Sequence, residues 1–600
     1  MLTPVSLFLP GGSSRADHAK LGLLSAIVVG FFLFTGETWL PGGGRNFTTY
    51  AEGILTGKTL LPGLAQCDIG YPLLILLSGY PYFHSLIPIF LIQATFAIVL
   101  PLLTYEALCR FSPTLAFYTA LAGIISLSGI YFMKMLFHDQ TFMFFSILMI
   151  CLLMLFVQTK NLRLLYGFTF AAIAASLTRP AGNLLFPFFI FAAFILVRGK
   201  PRHYLICLAI FFSCLGLDRW HRYVIFDTEH AAETPSYTGK QLLYNPYINS
   251  YDYRILLLPK YVGPNTASLK DNLYENLKPG VTTYIRENYV AKDASRVSAQ
   301  KFAEANMYPF TADEFIERIF TTPNWEYYNL LSSAADDQVA LKAALEIIRA
   351  HPELIIRYSA RNFFHFIFSP GYAHTRYNLN GFSAVGLRFY PEDGLIADGE
   401  AEILPPRVIR EARFDPLSKE PDVVRHLFDG IVSVWIKAYR KFVYVAAILM
   451  FVAWLSVVVS IAVIAQKYFR RRAQAERKLQ NMFVFQDEFI GCVLIASGLL
   501  VYNAAVTAIF AEPDFRYRHM VDLQALLVAG LGLLASQHWI KLMLGQHLSG
   551  LFANRMAYFT CVQSFDVFRW LTATQIAISA VCLIGAIYVT WTFFMLHFTG

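Results

Sequence analysis

Apolar runs of 14 to 29 residues, separated by short polar stretches and one long polar segment, dominate this sequence. A helix of about 20 apolar residues crosses the roughly 30 Å hydrocarbon layer of a bilayer. Only 15% of the residues are charged and 56% are hydrophobic, whereas ordinary globular domains carry about 25% charged residues. The pattern therefore predicts an all-α polytopic membrane protein and excludes a soluble enzyme.

Eleven apolar runs are candidate transmembrane helices. They cover residues 21–36, 84–108, 113–131, 141–158, 163–177, 183–197, 204–217, 440–466, 482–510, 519–538 and 573–598. The chain divides into an N-terminal transmembrane module at 1–217, an extracytoplasmic domain at 218–438 and a C-terminal transmembrane module at 439–600. The middle segment is too polar to span a membrane. Apolar residues at three- and four-residue steps over 340–368 predict that it is mainly helical.

Basic residues gather in the short loops between the apolar runs, at Arg110, Lys160, Arg198 and 470–472. Short loops rich in lysine and arginine face the cytoplasm, which is the positive-inside rule. This rule places residues 218–438 outside. We therefore expect an integral protein of a bacterial inner (plasma) membrane, with its active site facing the periplasm. A formal charge of +8 would suit a nucleic acid partner. Because the basic residues gather in the short loops between apolar runs, we expect no nucleic acid partner.

The loops predicted to lie outside carry acidic residues close to the membrane. The first loop contains Glu37 and Asp68, together with a short amphipathic helix at "FTTYAEGIL" and an apolar segment, "GYPLLILLSGY", that is too short to span. In the second loop, Asp139 follows His138 at the start of the fourth predicted span. Each acid has an alternative interpretation as a solvated carboxylate or, for Asp139, as a helix N-terminal acid favoured by the macrodipole.

Arginines mark two further boundaries on the same predicted face. Arg179 lies at the end of the fifth span in "SLTRPAGN", and Arg516 and Arg518 flank Tyr517 in "AEPDFRYRHM". Arginine offers a planar fork of donors that fits a phosphate group. Arginines alternating with aromatic side chains at a membrane surface are suited to a lipid-borne phosphate.

The order of these motifs carries a resemblance to a known family. "NFTTYAEGILTGKTL" and "GYPLL" come first, followed by "HDQTFMFF", "LTRPAG", "EIIRAHPELIIRYSARNF" and "EPDFRYRHM". From about residue 21 to 538 the chain resembles the GT-C superfamily of membrane glycosyltransferases. It is most similar to the branch that contains protein O-mannosyltransferases and the bacterial aminoarabinose transferases of lipid A. The resemblance implies a GT-C-like fold with about 11 transmembrane helices.

The resemblance also implies a reaction. The donor would be a polyprenyl-phosphate sugar, the acceptor a hydroxyl group of a lipid, glycan or protein, and the displacement at the anomeric carbon inverting. The family's second-loop acid matches Asp139, its "TRP" arginine matches Arg179, and its late "RY" arginine matches Arg516. We expect Arg179, Arg516 and Arg518 to bind the donor phosphate. We expect substrate contacts from Asn46, Tyr50, Tyr71, His138 and Tyr517.

One position departs from the family pattern. Where the family carries an acid four residues before a tyrosine, this chain has Asn46 ahead of Tyr50, and an amide cannot act as a general base. The base would then be Asp68 or Glu37. We favour Asp68, since it stands where the loop rejoins the membrane, with Asp139 as a second carboxylate.

The sequence is compatible with a bound metal and with two other functions. No metal-binding motif is present, so we assign no cofactor, although Asp139 and an outer-loop acid could hold a divalent metal. A transporter or flippase of lipid-linked glycans is one alternative, but charged residues in the middle of the spans are sparse. A glycan polymerase or ligase of the same fold is another alternative.

Overall fold

The computed structural model describes residues 15–35, 42–57, 68–225, 242, 263–277, 337–368, 441–459, 487–510 and 515–551, except positions 84, 127, 131, 135, 180, 181, 184, 198, 199 and 442. These residues are almost entirely α-helical, and no strand occurs among them. The predicted all-α class is therefore confirmed for the described part of the chain.

Ten helices come from the first 225 residues. They are α1 (Arg15–Thr35), α2 (Gly42–Thr56), α3 (Gly70–Leu77), α4 (Tyr80–Phe83), α5 (Ile87–Cys109), α6 (Pro113–Ile125), α7 (Asp139–Thr159), α8 (Leu162–Thr178), α9 (Leu185–Val197) and α10 (Pro201–Ile225). The short helices α2 and α3 confirm the amphipathic helix and the non-spanning apolar segment predicted in the first loop.

Six further helices come from the rest of the described chain. They are α11 (Pro264–Leu277), α12 (Asp337–Ala350), α13 (Pro352–Phe368), α14 (Val443–Val459), α15 (Asp487–Phe510) and α16 (Phe515–Leu551). Helices α12 and α13 confirm the helical patterning predicted over 340–368. The predicted span 573–598 lies outside the described residues.

Five described helices are long and apolar enough to cross a membrane. They are α1, α5, α7, α10 and α15, and the candidate membrane span covers most of each. Helices α6, α8, α9 and α14 are shorter but also apolar. Several apolar side chains on the outside of the bundle are exposed, among them Phe188 at 59% and Phe191 at 63%. This surface suits lipid rather than water, and the chain is an integral membrane protein.

Local signals set the helix ends around the centre of the bundle. Lys160 adopts a left-handed conformation (φ 57°) that ends α7. The next residue, Asn161, caps α8 by accepting a hydrogen bond from the Arg163 N–H. This tight link makes α7 and α8 antiparallel neighbours. Helix α7 also contacts α5, α9, α15 and α16, so it is the central helix of the bundle.

Several predicted span boundaries differ from the helix ends, among them those at the corner before α7 and at the end of α10. The predicted span 113–131 forms a helix only to Ile125, after which the described residues between 126 and 138 form a corner of turns and bends that leads into α7. The predicted span 204–217 continues as helix to Ile225. Hydropathy marks where a segment becomes polar, whereas a helix continues as long as its polar side chains find partners. Asp218 and Arg222, one turn apart, provide such a pair.

Helices α2, α3 and α4 form a small layer over one end of the bundle, where α7 begins with Asp139 and α8 ends at Thr178; this is called the Asp139 end. Phe47, Tyr50, Tyr71, Tyr80 and Leu86 belong to the apolar cluster of this layer. The first turn of α3 approaches the last turn of α8 so closely that a Cβ on Gly70 would lie 2.7 Å from the Leu177 carbonyl carbon.

We predict that Gly70→Ala destabilises the protein, because the added methyl group meets backbone atoms that cannot rotate away. The expected loss is about 1–3 kcal/mol, as for overpacked cores. The control is Gly216→Ala on α10, where an added Cβ meets nothing within 4 Å. Thermal unfolding of both variants in the same detergent measures the difference, and equal melting temperatures would contradict the close contact of α3 with α8.

Candidate functional site

A buried ion pair joins α7 to α8 at the Asp139 end. Because the two helices are antiparallel, the first residue of α7 and the residue after α8 meet at one end of the bundle. Arg179 donates from Nη1 to Asp139 Oδ1 at 3.0 Å, and the Asp139 side chain is fully buried. The guanidinium carbon of Arg179 also lies 5.4 Å from the centre of the Phe142 ring. The structure thus brings two of the predicted site residues into direct contact.

A second ion pair lies beside the first. Asp68 stands two residues before α3, and its Oδ1 accepts a hydrogen bond of 2.7 Å from Arg222 Nη2. The same guanidinium donates from Nε to Asp218 Oδ2 at 3.1 Å. All three side chains are between 13% and 14% exposed. Arg222 therefore bridges a carboxylate of its own helix and a carboxylate of the first loop.

The electrostatics of Asp68 link the two pairs. Burial raises the pKa of Asp68 to about 6, against the lowering effect of Arg222 and a smaller lowering effect of Arg179, while Asp218 raises it. Asp68 thus lies within electrostatic reach of both arginines. Asp68, Asp139, Arg179, Asp218 and Arg222 form one group, the carboxylate–arginine cluster.

Tyr71 stabilises the corner of the chain that leads into Asp139. Its side chain is fully buried, and its hydroxyl donates to Gln93 Oε1 at 3.0 Å. Gln93 Nε2 in turn donates to the carbonyl oxygen of Met133 at 2.9 Å, and the backbone of Phe137 also hydrogen-bonds Tyr71. These bonds hold the corner that leads into Asp139. The Tyr71 hydroxyl therefore helps to fix the corner, and the substrate contact predicted for Tyr71 stays a prediction.

Burial and the negative charge of Asp139 raise the pKa of Tyr71. The raised pKa keeps the Tyr71 hydroxyl protonated, as its donor role toward Gln93 requires.

Helix α2 forms a wall of the site. The Phe47 ring meets Tyr71 edge to face at 5.1 Å and His138 at 5.4 Å. Tyr50 is fully buried, and its ring lies parallel to that of His221 at 6.5 Å. Asn46 is half-buried one turn before Tyr50. Tyr50 lies within electrostatic reach of Arg222, while the predicted substrate contacts of Asn46, Tyr50 and His138 stay predictions.

Four predicted site residues cannot be placed in the same way. Glu37 lies outside the described residues, as do the side chains of Arg516, Tyr517 and Arg518, whose backbone belongs to the first turn of α16. In the next turn, Asp522 Oδ2 accepts a hydrogen bond of 2.8 Å from Ser128 in the corner before α7. The first turns of α16 thus lie at the Asp139 end.

Sequence reasoning missed Asp218, His221 and Arg222, because they fall in a stretch assigned to the outer domain. The signal was present in the sequence as an acid and an arginine four residues apart directly after an apolar run. That spacing places both side chains on one face of a continuing helix.

The cluster shows no arrangement typical of a metal site. Among the residues that the structure describes, no group of three or more His, Cys, Asp or Glu side chains could hold a metal ion. No family model matches the chain, and no curated protein or solved structure matches it. Its function must therefore be argued from the chemistry of the site.

We predict that Asp139→Asn and Arg179→Gln each cost about 3–5 kcal/mol of stability, because each leaves a buried charge without its partner. The double variant should cost clearly less than the sum of the two single changes, because it buries no charge. Chemical denaturation of the four proteins in detergent gives the coupling energy.

The matched control is the exposed pair between Lys160 and Glu488, at 3.4 Å and with side chains 60% and 35% exposed. Its coupling should be about 0–1 kcal/mol, as for solvent-exposed pairs. Equal coupling in the two pairs would show that the pair between Asp139 and Arg179 is not buried.

Proposed function

We propose that the chain is an inverting glycosyltransferase of the GT-C type. It moves a sugar from a polyprenyl-phosphate donor to a hydroxyl group of a lipid, glycan or protein. The observation that carries the proposal is the carboxylate–arginine cluster, in which a carboxylate with a pKa of about 6 lies within reach of two guanidinium groups at one end of an apolar bundle. A lipid anchored in the bilayer carries its phosphate at the membrane surface, where an end of such a bundle would lie.

The proposed step uses these groups in named roles. The acceptor oxygen attacks the anomeric carbon and forms the new glycosidic bond while its proton passes to Asp68. The bond from the anomeric carbon to the phosphate oxygen breaks, and the phosphate leaves with the bonding electrons. Arg179 stabilises the charge that grows on the leaving phosphate. A positioned base typically contributes about 10² to 10⁴ in rate.

Asp139 is the second carboxylate of this scheme. It holds Arg179 through a direct hydrogen bond of 3.0 Å, which fixes the direction of the guanidinium before the donor arrives. We also propose that Arg516 and Arg518 contribute to the phosphate site, since the first turns of α16 are near the corner before Asp139. Glu37 remains the alternative base.

The topology that accompanies this function is also part of the proposal. We propose about 11 transmembrane helices, an extracytoplasmic domain between residues 218 and 438, and a site that faces the periplasm from a bacterial inner membrane. Its support is the gathering of basic residues in the loops predicted to face the cytoplasm. The cluster lies at the opposite end of α7 and α8 from Lys160.

Transfer of radiolabel from a synthetic polyprenyl-phosphate sugar into a membrane extract tests the function. We expect the purified protein to transfer the sugar, Asp68→Asn to be nearly inactive, and Glu488→Gln at the other end of the bundle to be fully active. Movement of an intact labelled lipid across vesicles without transfer would instead support a flippase. Transfer only from a pyrophosphate-linked oligosaccharide would support a polymerase or ligase.

The pH dependence of turnover tests the base. Since burial raises the pKa of Asp68 to about 6, Asp68 is protonated below this pH and cannot accept a proton. The ratio kcat/KM, which reports the pKa values of the free enzyme, should therefore rise with pH through about 6 and level off above it. A pH profile that does not rise near pH 6 would exclude Asp68 as the base. Glu37→Gln would then be the next variant to assay.

A further inference from the structure

Arg222 bonds two carboxylates that come from different parts of the chain. Asp218 lies one turn away on the same helix and accepts from Nε at 3.1 Å. Asp68 belongs to the first loop and accepts from Nη2 at 2.7 Å. If the guanidinium releases Asp68, its bond to Asp218 keeps it at the Asp139 end. The loop carboxylate is thus the exchangeable partner.

The bond to Asp68 also conflicts with the role of that carboxylate as a base. An oxygen that accepts a charged hydrogen bond from arginine is a poor proton acceptor, because the positive charge lowers the pKa of the carboxyl group. In Asp68, burial and Arg222 act in opposite directions. Removing Arg222 would leave the effect of burial and make Asp68 a stronger base.

An anion is the replacement that suits Arg222 best when Asp68 leaves, because a charged and largely enclosed guanidinium bonds most strongly to acceptors of opposite charge. A phosphate group offers several acceptor oxygens to the arginine fork. Asp68 also lies within electrostatic reach of Arg179, so a phosphate that entered beside Asp68 would be attracted by both guanidinium groups.

We propose that Arg222 is a latch on the base. In the empty site it holds Asp68, and the phosphate of a bound polyprenyl-phosphate donor draws it away, so that Asp68 becomes a competent base only when a donor is present. The proposal rests on the proposed function and makes Arg222 a positioning residue of the same site. Such a latch would keep Asp68 paired while the site is empty, when an unpaired carboxylate in this largely enclosed position would be costly.

The test is an infrared titration of Asp68 in the purified full-length protein in detergent. The carbonyl band of the protonated Asp68, assigned by its loss in Asp68→Asn, gives the midpoint with and without a synthetic polyprenyl phosphate. We expect the lipid phosphate to raise the midpoint by about one pH unit or more, which would raise the protonated fraction at pH 7 severalfold. The uncharged polyprenol should leave it unchanged.

Variants separate release of Arg222 from the simple charge of the phosphate. In Arg222→Gln the midpoint should be high without lipid, and polyprenyl phosphate should raise it by less than in the wild type. Arg219→Gln, which changes an exposed neighbouring arginine, should match the wild type. Arg222→Lys retains the charge if the glutamine variant does not fold, and it should start near the wild-type midpoint but bind the lipid phosphate less tightly.

Equal shifts in the wild type and in Arg222→Gln, or no shift when bound lipid is measured in parallel, would overturn the latch and leave the proposed function intact. If the wild type binds no polyprenyl phosphate at all, the proposed function falls together with the latch.

Discussion

The cost of burying charge beside an apolar membrane bundle determines how this site is built. Ionised groups in a low-dielectric environment are tolerated only when each is paired and hydrogen-bonded. Asp139 is fully buried and bound to Arg179, while Asp68 and Asp218 share Arg222. These pairs tie α7 to α8 and the first loop to α10. The same interactions therefore hold the Asp139 end together and position its chemical groups.

Much of this end was predictable from the sequence. Hydropathy located the helices, and the antiparallel order of α7 and α8 requires Asp139 and Arg179 to meet once both lie at helix ends. The short helices of the first loop were visible as an amphipathic pattern and an apolar segment of insufficient length. What hydropathy could not show was the continuation of α10 to Ile225, because that extension depends on the partners of Asp218 and Arg222 rather than on lipid.

The direction of a side chain cannot be derived from the sequence pattern alone. Tyr71 stands at the start of α3, as expected for a residue near the site, yet its hydroxyl turns inward to Gln93. A sequence pattern can place a residue at an end of the bundle, but the choice between facing a substrate and supporting a corner depends on the packing around it. Here Gly70 lets α3 approach the backbone of α8 closely, and the adjacent Tyr71 is fully buried.

We propose that the phosphate of a lipid-linked donor binds between Arg179 and Arg222. The most direct measurement is an electron cryo-microscopy structure of the full chain in a lipid nanodisc with bound polyprenyl phosphate. The account predicts phosphate oxygens within hydrogen-bond distance of both guanidinium groups and Asp68 released from Arg222. A phosphate bound at the Lys160 end of the bundle, or an unchanged bond between Asp68 and Arg222 beside a bound lipid, would contradict it.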